Sequence, residues 1–331
     1  MRVETSQSVT SVFLQTLKKR PEFIPFLGLA VLVLLMSFIG ENFFSWGTFV
    51  NISRQVSVNA ILAAGMTFVI LTGGIDLSVG AVLAFTGTIM SGVIIHLVPG
   101  GMSTLQILLL AWSAALLIGV ACGAFSGFFV ARFGLPAIIV SLAVMEAVRG
   151  IALTYTGGYP MPVPREFTYL GRGMYLGIPI PTWIMIGVFV ISYLLLTQFK
   201  LGRYIYAVGG NEDAAILSGI RTKLVHFFVY SYCGVTSAVA GIIASSRVSS
   251  GQPSAGQGFE LDAIAAVVLG GTSIMGGRGS IIGTLIGAFI LGVLNTGLNT
   301  LGIDPYPQRI IKGGIILGAV LISVFQKQKR Q

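Results

Sequence analysis

Asn59–Gly80 reads NAILAAGMTFVILTGGIDLSVG. Up to Thr72 it carries no charged side chain. With the preceding Val56–Val58 it is apolar enough to lie inside a membrane. Gly73 and Gly74 then interrupt the run, Asp76 follows, and a second apolar segment starts at Leu77. Apolar segment, glycine break, apolar segment is the pattern of two membrane helices joined at a turn. The simplest role for Asp76 is to cap the free amides of the second helix. An acidic group near the membrane is costly and commonly functional, so lining a permeation route is its other expected role, and both can hold at once.

The rest of the chain has the same character. Of 331 residues, 54% are hydrophobic, 9% are charged and 44 are Gly. The mean hydropathy is +0.90. A soluble domain of this length does not have that balance, so an all-α, polytopic integral membrane protein is expected. Candidate spans are Phe23–Ile39, Val56–Thr72, Leu77–Val98, Leu105–Val130, Ala137–Thr154, Thr182–Gln198, Leu224–Ala244, Ile281–Leu301 and Gln308–Phe325. Phe23–Ile39 has no small-residue cleavage pattern before Glu41 and reads as a first span, not a removed signal peptide.

Lys18, Lys19 and Arg20 precede the first span, and Lys327, Lys329 and Arg330 follow the last. Both ends are therefore expected in the cytoplasm, which requires an even number of crossings. Leu261–Met275 is the candidate for the tenth. It is too short for a straight crossing and too apolar for an exposed loop, so a broken segment buried in protein is expected. The domain reading is a cytoplasmic tail at 1–22, one transmembrane domain at 23–326 with a polar cytoplasmic loop at 199–223, and a cytoplasmic tail at 327–331. Ten crossings put Arg132, Lys200, Arg203, Arg221, Lys223 and Arg278 on the cytoplasmic side and leave Arg54, Arg165, Arg172, Arg247 and Arg309 outside. The net charge of +9 then reflects orientation and not nucleic-acid binding.

Several features invite a functional reading. Glu146 and Arg149 lie three apart on one helical face, as an internal ion pair or as a hydrogen-bonding station for a polyol. Gly119, Gly123 and Gly127 form a stripe for close helix packing. The outer loop Thr156–Pro181 holds five prolines and is expected to be ordered by turns. Asn59–Gly74 with Gly80 and Asp262–Gly277 with Gly283 echo one another at a constant offset of 203, as in an internal repeat or by chance in a Gly-rich and Ala-rich chain. His96 and His226 have no partner at ligand spacing, and Cys122 and Cys233 read as packing residues. GGTSIMGGRGS at Gly270–Ser280 lacks the Lys of a phosphate loop, and no hydrolase or zinc motif is present, so no cofactor and no enzymatic activity are expected of this chain.

The polar island Leu201–Ile220, LGRYIYAVGGNEDAAILSGI, stands between two long apolar segments. Asn211 is a good N-cap, Glu212 and Asp213 suit the first turn, and Gly219 is placed to stop the helix. A helix of about two turns, roughly 12 Å long, is expected. Its upper face would be Ala214, Ala215 and Ser218, small enough to let a partner approach. An ordinary loop helix is the alternative.

GGIDLSVG at 73–80, GRYIYAVGGNEDAAILSGI at 202–220 and SSGQPSAGQGFELDAIAAVVLGGTSIMGGRGS at 249–280 resemble bacterial ABC-importer permeases of the ribose type, in the branched-chain amino acid/ribose permease superfamily. The likeness runs from about Phe43 to the C-terminus. Members of this family also carry xylose, galactose, arabinose, nucleosides or autoinducer-2.

The resemblance implies a pore of two copies in the bacterial cytoplasmic (inner) membrane, two ATPase subunits that carry ATP and Mg, and a periplasmic or lipid-anchored sugar-binding protein outside. It makes the polar island a coupling helix, with Arg203, Gly210, Asn211, Glu212, Ala214, Ala215 and Gly219 toward the ATPase. Asn59, Gly73, Gly74, Asp76, Ser78, Glu146 and Arg149 become pathway or span-breaking residues. Arg54, Arg165, Arg172 and Arg247 become the docking patch for acidic residues of the binding protein. The competing readings are a proton-coupled carrier using Asp76 and Glu146, and a branched-chain amino acid permease.

Overall fold

The computed structural model describes residues 22–39 and 43–328. Residues 1–21 and 329–331 of the expected tails lie outside the described residues. Among the described residues, thirteen α-helices account for nearly all of the regular structure. In chain order they are α1 (Phe23–Ile39), α2 (Trp46–Leu71), α3 (Val79–Leu97), α4 (Thr104–Phe133), α5 (Ala137–Thr156), α6 (Tyr169–Arg172), α7 (Ile180–Thr197), α8 (Lys200–Gly210), α9 (Glu212–Leu217), α10 (Thr222–Val248), α11 (Phe259–Leu269), α12 (Ile281–Thr300) and α13 (Pro305–Gln328).

Seven of these, α2, α3, α4, α5, α7, α10 and α12, are long and apolar enough to cross a membrane, and α1 is a shorter apolar helix. Leu261–Met275 divides as its length requires. Its helical part, α11, has 11 residues, roughly half of a bilayer core, and a loop through Gly270–Ser280 follows. The long segment Thr156–Pro181, expected as an outer loop, is ordered by turns and short ladders. Strand β1 (Met161–Pro162) pairs antiparallel with β4 (Ser250–Gly251), and β2 (Met174–Tyr175) pairs with β3 (Ile178–Pro179).

Helix α2 is the centre of the fold, buried from Val56 almost without interruption to Leu71. Helices α7, α10, α11 and α12 pack around it. Its interior hydroxyls are satisfied within the bundle: Thr67 Oγ1 lies 2.8 Å from Thr284 Oγ1 as well as donating to the Ala63 carbonyl.

The most extensive helix pair is α4 with α10. The stripe Gly119, Gly123 and Gly127 makes it possible. A Cβ at Gly119 would fall 2.5 Å from the Gly234 carbonyl oxygen, and one at Gly127 would fall 3.0 Å from Phe227 Cα. Backbone therefore packs on backbone, which is how helices associate where lipid removes the usual hydrophobic drive. Gly123→Leu would force the pair apart, an overpacking cost of about 1–3 kcal/mol or more. Its expected effect is a clear loss of folded protein in a denaturant titration. Gly150→Ala, at a position with no atom within 4 Å of the added carbon, should leave the titration unchanged.

The offset of 203 has a structural counterpart. Shifted by that amount, Val79–Leu97 of α3 falls on 282–300, within one residue of α12. Both units are helix, glycine turn, helix, and they meet. Asn59 Nδ2 donates to Asp262 Oδ2 at 3.4 Å across a separation of 203 residues, and the Gly277 amide donates to the Leu71 carbonyl at 2.9 Å.

Candidate functional site

The first break begins where α2 ends, with Gly73 at φ +81°. Asp76 does not cap α3 from the N-cap position. That position is Ser78, and Asp76 Oδ1 accepts from the Ser78 amide at 2.9 Å and from Ser78 Oγ at 2.6 Å. The carboxylate thus orders the turn before the helix and leaves the helix's own first amides alone. Asp76 is 2% exposed. Burial pushes its carboxyl above the ordinary carboxylate value, and the Ser78 hydrogen bonds pull against that. A β-carbon on Gly74 would meet the Tyr230 hydroxyl, so this break is packed tightly on α10. Ser141 Oγ of α5 reaches the Ile75 carbonyl at 3.3 Å.

The polar island holds two helices, of which the first, α8, was not expected. Its apolar face carries Ile205 and Val208 into the core with Gly202 beside them. The second, α9, begins as its sequence requires, with Asn211 Oδ1 accepting from the Ala214 amide at 2.9 Å. Gly219 ends it at φ +81°, with the Ile220 amide returning to the Ala215 carbonyl at 3.0 Å. Six residues make it shorter than expected, roughly 9 Å.

The exposed face also needs correction. Ala215 is 4% exposed and packs into the core, so it is not available to a partner. Ala214 and Ser218 are exposed, and beside them stand Ile216 at 53% and Leu217 at 89% exposure. Arg203, Gly210, Asn211, Glu212 and Gly219 are exposed too. Glu212 Oε1 lies 3.1 Å from His226 Nε2, which ties α9 to α10.

This pair of helices rests on both breaks. A Cβ at Gly209 would fall against the Leu71 carbonyl and 2.6 Å from the Gly277 amide. Tyr206 Oη donates to the Gly279 carbonyl at 3.0 Å. Helix α8 therefore touches the ends of two helix–turn–helix units at once.

Glu146 and Arg149 do not pair. Arg149 Nη1 donates to the Pro253 and Ala255 carbonyls at 2.6 and 2.7 Å, oxygens that the turn before α11 leaves free. Those two oxygens outcompete a carboxylate one turn away, and Glu146 remains exposed on α5. Asn59 does not break a span. It lies within α2, bonded to Asp262, which also holds Lys312 Nζ at 3.3 Å.

Three of the four arginines expected to form a docking patch come together. Arg172 Nε donates to the Arg247 carbonyl at 3.0 Å, and Arg54 lies within electrostatic reach of Arg247. None of the three has a carboxylate partner among the described residues, and Arg54 Nε is buried without a hydrogen bond. Arg165, in the turn Arg165–Phe167, is exposed but is not joined to them by any contact. Among the described residues no group of His, Cys, Asp or Glu could hold a metal ion.

A spanning bundle with glycine breaks, braced by a helical loop, defines a membrane permease. Residues 48–321 match the model of the branched-chain amino acid transport system permease component, and the chain belongs to that family. It is 48% identical over 302 residues to the ribose import permease protein RbsC of Escherichia coli (strain K12), covering 90% of this chain and 92% of that protein. It is 45% identical over 320 residues to the protein of the same name from Bacillus subtilis (strain 168), covering 94% and 97%. The L-arabinose transport system permease protein AraH of Escherichia coli (strain K12) is more distant, at 36% over 311 residues, covering 91% and 90%.

Proposed function

We propose that this chain is the membrane-spanning subunit of an ATP-driven importer for ribose or a closely related sugar, placed in the bacterial inner membrane with its termini in the cytoplasm. The observation that carries the reading is the setting of α8 and α9: a capped, exposed helix outside the apolar bundle, braced by Gly209 and Tyr206 on both glycine breaks. A carrier driven by an ion gradient needs no such lever. An importer whose ATPase is a separate subunit needs a surface where that subunit can act.

The mechanism is alternating access. ATP and Mg belong to the partner ATPase, whose closure moves α9 and, through α8, the ends of α2 and α11. The Arg54, Arg172 and Arg247 cluster, with no anion of its own, suits carboxylates of a sugar-binding protein on the other face. Each partner must bind the two pore states unequally for the cycle to turn. Glu146, exposed on an apolar helix, is disfavoured against lipid, so the arc of α5 that bears it belongs toward a second copy or the sugar route.

The test is uptake of labelled ribose into vesicles that hold permease, ATPase and loaded binding protein. Uptake should require ATP, survive a protonophore, and weaken when Arg172 and Arg247 are changed to Glu. Uptake that collapses with the proton gradient and ignores ATP would instead establish the proton-coupled carrier. The relatives RbsC and AraH differ by their names in the sugar they move, so the same vesicles should be assayed with ribose and arabinose side by side.

A further inference from the structure

On the α9 side of the bundle, the ends of α4, α5 and α10, with Gly73 and Gly74 of the first break and Glu212 and Ile216 of α9, border a cavity of about 500 Å³. One wall is a single face of α10, with Thr222, Lys223, His226 and Tyr230 at helical spacing. Arg132, from the last turn of α4, stands in another wall. Neither Arg132 nor Lys223 has a carboxylate partner among the described residues, and the acidic group present, Glu212, is engaged by His226 at 3.1 Å. The start of a 27-residue helix adds its dipole to this surplus of positive charge. The floor is Tyr230, fully buried, with a hydroxyl that has no partner.

The cavity does not end there. Leu135 is shared with a groove of about 600 Å³ between α4 and α5, whose walls are side chains such as Ala121, Phe125, Ile139, Ala143 and Ile151. From Ile139 to Ile151 it follows α5 for roughly 18 Å, somewhat more than the ~15 Å of one leaflet. A cationic cavity that adjoins, at Leu135, an apolar groove along two spanning helices has the shape and charge of a single type of molecule.

We propose that this site holds one anionic phospholipid from the leaflet on the α9 side, its phosphate between Arg132 and Lys223 and an acyl chain in the groove. A free anion would leave the groove empty, and a neutral lipid would leave the two cations unpaired. Glu146 is not among the groove residues, but it stands at the groove's edge, three residues from Ala143 on the same helix. Glu212 and Ile216 border the cavity, so the headgroup lies against α9 and its presence favours one setting of that helix.

Native mass spectrometry of the purified full-length chain, released from membranes of equal phosphatidylglycerol and phosphatidylcholine content, tests this without reference to sugar or ATP. Its result is therefore separable from that of the uptake assay. The wild type should retain phosphatidylglycerol at least about 10-fold over phosphatidylcholine. Arg132→Gln with Lys223→Gln should abolish that preference, and Ala143→Trp, which fills the groove and keeps the cations, should abolish retention of either lipid. Millimolar glycerol phosphate should displace nothing. Equal retention of the two lipids by the wild type would overturn the proposal. So would displacement by glycerol phosphate with Ala143→Trp without effect, which marks a free-anion site. Loss of association between two copies in Ala143→Trp would assign the groove to the second copy and overturn it as well.

Discussion

Leu217→Asp should lower sugar-stimulated ATP hydrolysis of the assembled complex by about 30-fold or more, with the permease still inserted and folded. The side chain is 89% exposed at the end of α9, beside Ile216 at 53%. Large apolar groups held out of the bundle on a capped helix mark a contact surface. Removing a central apolar anchor from such a contact typically costs about 2 kcal/mol or more, and that is the factor given. A carboxylate there adds a desolvation cost that alanine would not.

The comparison with the neighbouring position makes the experiment decisive. Ala215→Trp places bulk where the residue is 4% exposed, so it should reduce the amount of folded permease before coupling can be assayed. Ala214→Trp, on the exposed side, should uncouple without loss of protein. If Leu217→Asp and Ala214→Trp both left stimulated hydrolysis unchanged, α9 would not be the docking helix.

What the sequence disclosed and what it hid follow from how local each interaction is. The cap at Asn211 and the stop at Gly219 are decided within one helical turn, and both are where the residue types put them. The stripe Gly119, Gly123 and Gly127 was legible because four-residue spacing alone puts three residues on one face. Helix α8 was legible too, since Leu201, Ile205 and Val208 recur at helical spacing between charged and polar residues, a period that the reading of the island as one short helix overlooked. Ala215 was misplaced for a different reason: alanine says nothing about whether its face is open or closed, and packing against the bundle decides it.

In the candidate site, residues close in the chain misled and residues far apart informed. The three-residue spacing of Glu146 and Arg149 allows a pair, but two backbone oxygens more than a hundred residues away claim the guanidinium. The cluster of Arg54, Arg172 and Arg247 could be foreseen only as a set of outer charges, since its geometry comes from α6 packing on the end of α10. The repeat offset, by contrast, pointed to a real contact, because Asn59 and Asp262 hold equivalent places and face each other.

That contact leads to the second large effect. Asp262 accepts from Asn59 at 3.4 Å and from Lys312 Nζ at 3.3 Å, with the paired side chains only 16% and 21% exposed. Asp262→Asn keeps the shape and removes the charge, leaving a partly buried ammonium without a counterion. Breaking one side of a deeply buried pair costs about 3–5 kcal/mol, and the partial exposure here brings that down to about 1–3 kcal/mol. The expected result is a clear loss of folded protein, or a permease in which α13 no longer packs on α11. Lys312→Met alone leaves the opposite charge stranded and should cost a similar amount. The double variant Asp262→Asn, Lys312→Met carries no unpaired charge, so it should recover most of the stability lost by either single change. A double variant no more stable than the sum of the two singles would show that the pair is not coupled, and α13 would then be held to the repeat by packing alone.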